Sequence, residues 1–226
     1  MALKLYYHPL ASFCHKVLIP LYENGTAFQP IVVDFGDPDS AAAFKAVWPM
    51  AKMPVLVDEE RGATVAESTI VIEYLDAFHP GPVRFIPQSA DAAWRVRFWD
   101  RFFDHYVHEP MQRIVADALR PQGKRDLFGV EQSRAQLAEA YAFLESELGE
   151  KTWVAGEDFS LGDCAAAPAL MYGHTLVPIA ENQKRLRAYY GRLLSRPSIA
   201  RVFSEAEPYF RFFPLPDKPV LAPPDV

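Results

Sequence analysis

The sequence has 226 residues, half of them apolar, and a formal net charge of −6. That length suits one large domain or two modest ones, with enough apolar material for a real core. Mild acidity argues against nucleic acid or an anionic membrane surface as the main partner, so an anionic ligand would need local positive potential.

The two cysteines, Cys14 and Cys164, form no CxxC pair, which sets aside a dithiol redox motif and a zinc cluster. The six histidines show no ligand spacing, and no metal site is expected. The opening MALKLYYHPL lacks a basic stretch leading into a long apolar run, and no run approaches the ~20 residues of a membrane span. A soluble, cytoplasmic protein is expected, with neither membrane nor nucleic acid as partner.

In chain order, LKLYYH (3–8) reads as a strand closed by Pro9. Cys14, Val17, Leu18 and Leu21 then recur at helical spacing up to Gly25. Pro20 lies inside that helix and should kink it or shift its hydrogen bonding. FQPIVVDF (28–35) is a second strand, placed near an edge by Pro30. DPDSAAAFKAV (37–47) is helix-like, with acidic residues and Ser40 at its start. PVLVD (54–58) and ATVAE (63–67) form a hairpin around a glycine-containing loop, and STIVIEYLDAFHP (68–80) is an amphipathic helix.

Residues 80–90, PGPVRFIPQSA, are rich in proline and read as a linker. Strand signals stop there. One long helix follows, bent at Pro110, then a helix over VEQSRAQLAEAYAFLESELG, then helices over 161–174, 178–194 and 197–206. A Pro-rich tail ends the chain. The pattern is an α/β thioredoxin-like N-terminal domain (1–80), a linker (81–90), an all-α helical C-terminal domain (91–213) and a tail (214–226).

Three motifs sharpen this. In WPMAKMPVL, a proline opening a strand is either an ordinary trans proline, the commoner case, or a cis Met53–Pro54 peptide, since X–Pro bonds alone adopt cis cheaply. In VAESTIVIEYL, Glu67 and Ser68 stand where a strand turns into a helix, whose free N–H groups suit a carboxylate. In FSLGDCAAAPAL, Ser160 and Asp163 have capping-box spacing, with Phe159 and Cys164 placed as a hydrophobic staple. On these motifs, nearly the whole chain resembles a soluble, bacterial-like glutathione S-transferase.

That resemblance implies glutathione as co-substrate, a small hydrophobic electrophile as second substrate, a homodimer and a detoxification role. It assigns the cysteinyl backbone of glutathione to Met53 and Pro54, and its γ-glutamyl end to Glu67 and Ser68. Lys52 is a candidate for the glycyl carboxylate, with Lys45 and Lys16 behind it. Of the aromatic helix holding Phe98, Trp99, Phe102, Phe103 and Tyr106, the resemblance assigns Trp99, Phe103 and Tyr106 to the electrophile pocket.

The thiol needs a donor or positive potential to ionise. Three sources stay open: the Ser12 hydroxyl, Cys14, and backbone N–H groups at the helix start. The family's Ser or Cys lies most often six residues before the position of Val17. That position is Ala11, with Ser12 one residue later. Cys14 as the working residue would imply glutathione-dependent thiol–disulfide exchange instead. A non-catalytic binding protein on the same scaffold is the third reading.

Overall fold

The computed structural model describes residues 2–221. The N-terminal part runs β1 (Leu3–Tyr7), α1 (Ser12–Glu23), β2 (Gln29–Val32), α2 (Pro38–Val47), β3 (Val55–Asp58), β4 (Ala63–Ala66) and α3 (Ser68–Phe78). The four strands lie in the order β2-β1-β3-β4. β1 pairs parallel with β2 and antiparallel with β3, and β3 pairs antiparallel with β4. This is the thioredoxin-like arrangement. Pro30 sits on the edge strand β2, where a missing backbone donor costs no central ladder bond.

β2 is shorter than its sequence suggests. The Asp34 carboxylate accepts from Gly36 N–H and the Ser40 hydroxyl accepts from Asp34 N–H, so the chain turns before Phe35 can extend the strand. Asp37, rather than Ser40, caps α2 by accepting from Asp39 N–H.

The helical part comprises α4 (Ala90–Phe102), α5 (Glu109–Ala118), α6 (Leu127–Leu148), α7 (Leu161–Leu176), α8 (Lys184–Ser195) and α9 (Pro197–Ala206). α4 and α5 are joined without a break by a π-helical stretch, Phe103–His108. The expected bend at Pro110 is thus a widened turn just before it. Pro110 opens α5, where its missing N–H is tolerated, and the wider hydrogen bonding upstream accommodates the change. α8 starts six residues later than expected, because residues 177–183 follow Pro178 into a turn closed by Gln183 and Ala180.

α1 is the element that joins the two parts. Every residue from Cys14 to Leu21 is buried, with α3 packed against the helix from the N-terminal part and α7 and α9 from the helical part. Pro20 lies within this continuous helix. It leaves the Lys16 carbonyl without its usual helical donor. Asn24, just past the helix, accepts from Val83 N–H and donates to Val83 C=O, fastening α1 to the linker. Farther down the chain, Glu23 accepts from Arg196 and Ser198 at the start of α9.

The capping box is present at the start of α7. Asp163, fully buried, accepts from Ser160 N–H at 2.9 Å, Ser160 O–H at 3.0 Å, Val154 N–H at 3.0 Å and Tyr189 O–H at 2.7 Å. Phe159 and Cys164 are both buried in the main core beside it. One carboxylate thus organises α7, α8 and the loop before them. Replacing it would strand several buried donors, each at a cost of about 1–3 kcal/mol. Asp163→Ala is therefore expected to lower unfolding free energy by about 3 kcal/mol or more in urea titration; a loss under about 1 kcal/mol would show that water or repacking replaces it.

Candidate active site

Two adjoining clefts lie where the two parts meet. The first, about 650 Å³, is lined mostly by polar and charged residues. Lys52, Met53 and Pro54 approach from the loop before β3, and Glu67, Ser68, Thr69 and Ile70 from the start of α3. Arg97, Asp100, Arg101 and Asp104 face them from α4 and the π-helical stretch. The Met53–Pro54 peptide is cis. Ala51 and Glu67, on either side of this rim, hold φ of +50° and +67°, a left-handed backbone that side chains other than glycine disfavour by about 1–3 kcal/mol. Such outliers concentrate at binding sites.

No side chain caps α3 among the described residues. Its first N–H groups therefore offer partial positive charge to the cleft, beside the buried Ser68 hydroxyl. Glu67 and Lys52 are exposed on the rim and carry opposite charges. The sequence-derived set Lys52, Met53, Pro54, Glu67 and Ser68 is thus brought into one cleft.

Lys16 is elsewhere. It is fully buried, with its ammonium 2.6 Å from Asp100 and 2.8 Å from Asp104. Thr69 accepts from Lys16 at 3.1 Å and donates to Asp100 at 2.9 Å, and Arg101 closes the cluster from solvent. Burial pushes the Asp104 carboxyl up, while Lys16 pulls it down less strongly. This cluster anchors the start of α3 to α4, and Lys16 has no charge to spare for a ligand.

The second cleft, about 950 Å³, is mainly apolar. It is lined by Leu10, Val33, Phe35, Met111, Val115, Leu119, Tyr172, Phe212, Phe213 and Pro214, with His8 and Asp34 at its edge. Met53 and Gln112 belong to both clefts, and Ser12 lies at the foot of the apolar one. Met111, Val115 and Leu119 recur every four residues along α5 and its C-cap, a stripe that is legible in the sequence. Phe212 and Phe213 gave no such signal, because their place depends on the chain folding back after α9.

Trp99 and Phe103 do not line either cleft. Both are buried in the core, where Trp99 packs against Phe98, Phe102, Phe103 and Phe143. Tyr106 is 61% exposed and faces a separate groove of about 530 Å³ with Phe98, Phe102 and Phe143. From the π-helical stretch, Asp104 and His105 line the first cleft instead, and His108 lies against Ser12.

Cys14 is fully buried, and burial pushes its thiol up to about 12. The lowered pKa expected at a helix start is reversed, because the side chain points into the core and not toward the cleft. Ser12, the first residue of α1, is buried. Its oxygen lies 2.5 Å from His108 Nε2 and 3.1 Å from Gln112 Nε2. His108 stacks on Phe13 at 4.0 Å with 5° between the rings. His108 and Gln112 escaped the sequence reading because they lie about a hundred residues from Ser12. Among the described residues no group of three His, Cys, Asp or Glu side chains could hold a metal ion, and no helix is long and apolar enough to cross a membrane.

Comparison with known proteins covers both parts. Residues 5–83 match the family model for the glutathione S-transferase N-terminal domain, and residues 97–197 match that for its C-terminal domain. Among curated proteins, Glutathione S-transferase GstB of Escherichia coli is 27% identical over 83% of this chain and 90% of its own. A stringent starvation protein A homolog of Coxiella burnetii is 29% identical over 92% of this chain and 94% of its own. A crystal structure of a glutathione S-transferase from Methylobacillus flagellatus with glutathione bound superposes with a TM-score of 0.79. It is 25% identical over 88% of this chain and 98% of that one.

Two buried histidines make stability depend on pH. Burial lowers His15 to about 4 and His108 to about 3. An unfolded chain would take up those protons near pH 6.5. Below about 6.5 the unfolded state binds more protons, so stability falls with acidification until the folded-state values are reached. Urea midpoints are expected to drop between pH 7 and 4.5, and His108→Phe to flatten that drop; an identical slope in the variant would remove His108 from this account.

Proposed function

The chain belongs to the glutathione S-transferase family, and on that premise we propose that it binds glutathione in the polar cleft and adds its sulfur to a small apolar electrophile in the adjoining one. The observation that carries this reading is the meeting of the two clefts at Met53 and Gln112, directly beside Ser12. Lys52 would meet the glycyl carboxylate and the Met53 backbone the cysteinyl peptide. Ser68 and the N–H groups of α3 would hold the γ-glutamyl carboxylate, with Glu67 on its ammonium. The sulfur then falls near the start of α1, where the helix dipole and the Ser12 hydroxyl stabilise a thiolate.

Burial of Cys14 speaks against thiol–disulfide exchange as the activity. Its thiol has neither the access nor the acidity such chemistry needs. The setting proposed is the cytoplasm, where glutathione is reduced and two free cysteines stay free. A detoxification role follows from the apolar cleft, which discriminates weakly between similar shapes.

A second reading, glutathione binding without turnover, is favoured by Ala11. It stands at the N-cap of α1 with no side chain to offer a thiol. Calorimetry and turnover of an aryl halide separate the two. Glu67→Gln is expected to weaken glutathione binding about tenfold, and Ser12→Ala to lower kcat/KM about tenfold with binding retained. Binding without any turnover would leave the second reading; no binding at millimolar glutathione would defeat both.

A homodimer is also proposed. Tyr106, Phe98 and Phe143 are exposed together around the outer groove, and contiguous exposed apolar residues mark protein–protein contact sites. Tyr106→Arg is expected to shift the solution mass from dimer to monomer; a wild-type monomer would refute the proposal.

A further inference from the structure

We propose that His108 is a positioning residue for thiol ionisation: with Gln112 it fills the Ser12 oxygen, so that the Ser12 proton is the group left to meet the sulfur. The inference rests on the reading above that Ser12 stabilises a glutathione thiolate.

The Ser12 hydroxyl has one proton and two lone pairs. Gln112 can only donate from Nε2, at 3.1 Å, and so occupies one lone pair. His108 Nε2, at 2.5 Å, either donates to the second lone pair or accepts the hydroxyl proton. The choice is made at the other ring nitrogen. His108 Nδ1 is buried and has no partner among the described residues. A proton placed there would be a buried orphan donor, which folded proteins avoid more strictly than an orphan acceptor. The proton therefore sits on Nε2 and points at Ser12.

The ring has little freedom to do otherwise. Phe13 stacks on it almost in parallel and fixes its plane. It is fully buried and stays neutral, with Lys16 and His15 of α1 both opposing an imidazolium. Lys16 in turn is held by Asp100 and Asp104, whose charge is directed to its ammonium. With both lone pairs filled, Ser12 can only donate, and what remains open to it is the cleft.

The chemistry that follows is simple. The glutathione thiol loses its proton to cleft water, and the thiolate accepts a hydrogen bond from Ser12. Ser12 keeps its own proton, and no bond forms between sulfur and protein. His108 touches neither sulfur nor electrophile. Its effect is to stop Ser12 from turning its proton inward.

The test uses the full chain and reads the ionisation of bound glutathione from thiolate absorbance across pH. S-methylglutathione, which has no ionisable thiol, reports whether the site is intact. Ser12→Ala is expected to raise the bound thiol pKa by about one unit. His108→Phe, which keeps the stack on Phe13 but removes the donor, is expected to raise it by about half a unit or more, with S-methylglutathione affinity within about twofold. His108→Gln should restore the wild-type value, and His108→Phe should add nothing in the Ser12→Ala background. Gln112→Leu, at an exposed position, should shift the pKa in the same direction even if the His108 variants fold poorly. If Ser12→Ala raises the pKa and His108→Phe and Gln112→Leu do not, the inference fails and the underlying reading stands. If Ser12→Ala leaves the pKa unchanged, both fail.

Discussion

A lysine ammonium with no access to water is the constraint around which this protein is arranged. Lys16 lies in the middle of α1, the helix wrapped by both parts of the chain. Removing such a charge from water costs several kcal/mol and is tolerated only when counter-charges are fixed close by. Asp100 and Asp104 supply them from the helical part, and Arg101 balances the second carboxylate. The two parts cannot shift against each other without exposing or stranding a charge.

The same cluster sets the site. Thr69 is its polar bridge on the N-terminal side, and Thr69 directly follows Glu67 and Ser68. Fixing Thr69 fixes the open start of α3 opposite Lys52 and Met53. On the other side of the cluster, the π-helical stretch that carries Asp104 also delivers His108 to Ser12. One electrostatic weld therefore places both the anion-binding helix start and the hydroxyl that faces the second cleft. The apolar cleft beyond them draws on α5 and the residues that follow α9, together with the loops after β1 and β2 and Tyr172 of α7.

Local rules made much of this legible in the sequence. Strand and helix order, the Pro30 edge strand, the Asp163 capping box and the polar rim from Lys52 to Ser68 all rest on neighbours within a few residues. What escaped depends on distance or on packing. Lys16 stands in the sequence as a lesser candidate for the glycyl carboxylate because its true partners lie more than eighty residues away. The resemblance assigns Trp99, Phe103 and Tyr106 to the pocket, whereas core packing, the ordinary fate of a lone aromatic, takes Trp99 and Phe103, and Tyr106 faces the outer groove. For Cys14 the sequence leaves two readings, a helix-start thiol and a member of the helix's apolar stripe, and the core against which that helix packs decides for the second. Met111, Val115 and Leu119 carried a readable four-residue stripe, but only the fold says that it faces a cleft.

The most direct test of the central claim is a crystal structure with glutathione bound. The account predicts the peptide lying between Lys52 and Glu67, paired with the Met53 backbone, with its sulfur within hydrogen-bond reach of the Ser12 hydroxyl and open to the apolar cleft. A sulfur pointing away from Ser12 and out of the second cleft, or glutathione lodged at another site, would contradict it.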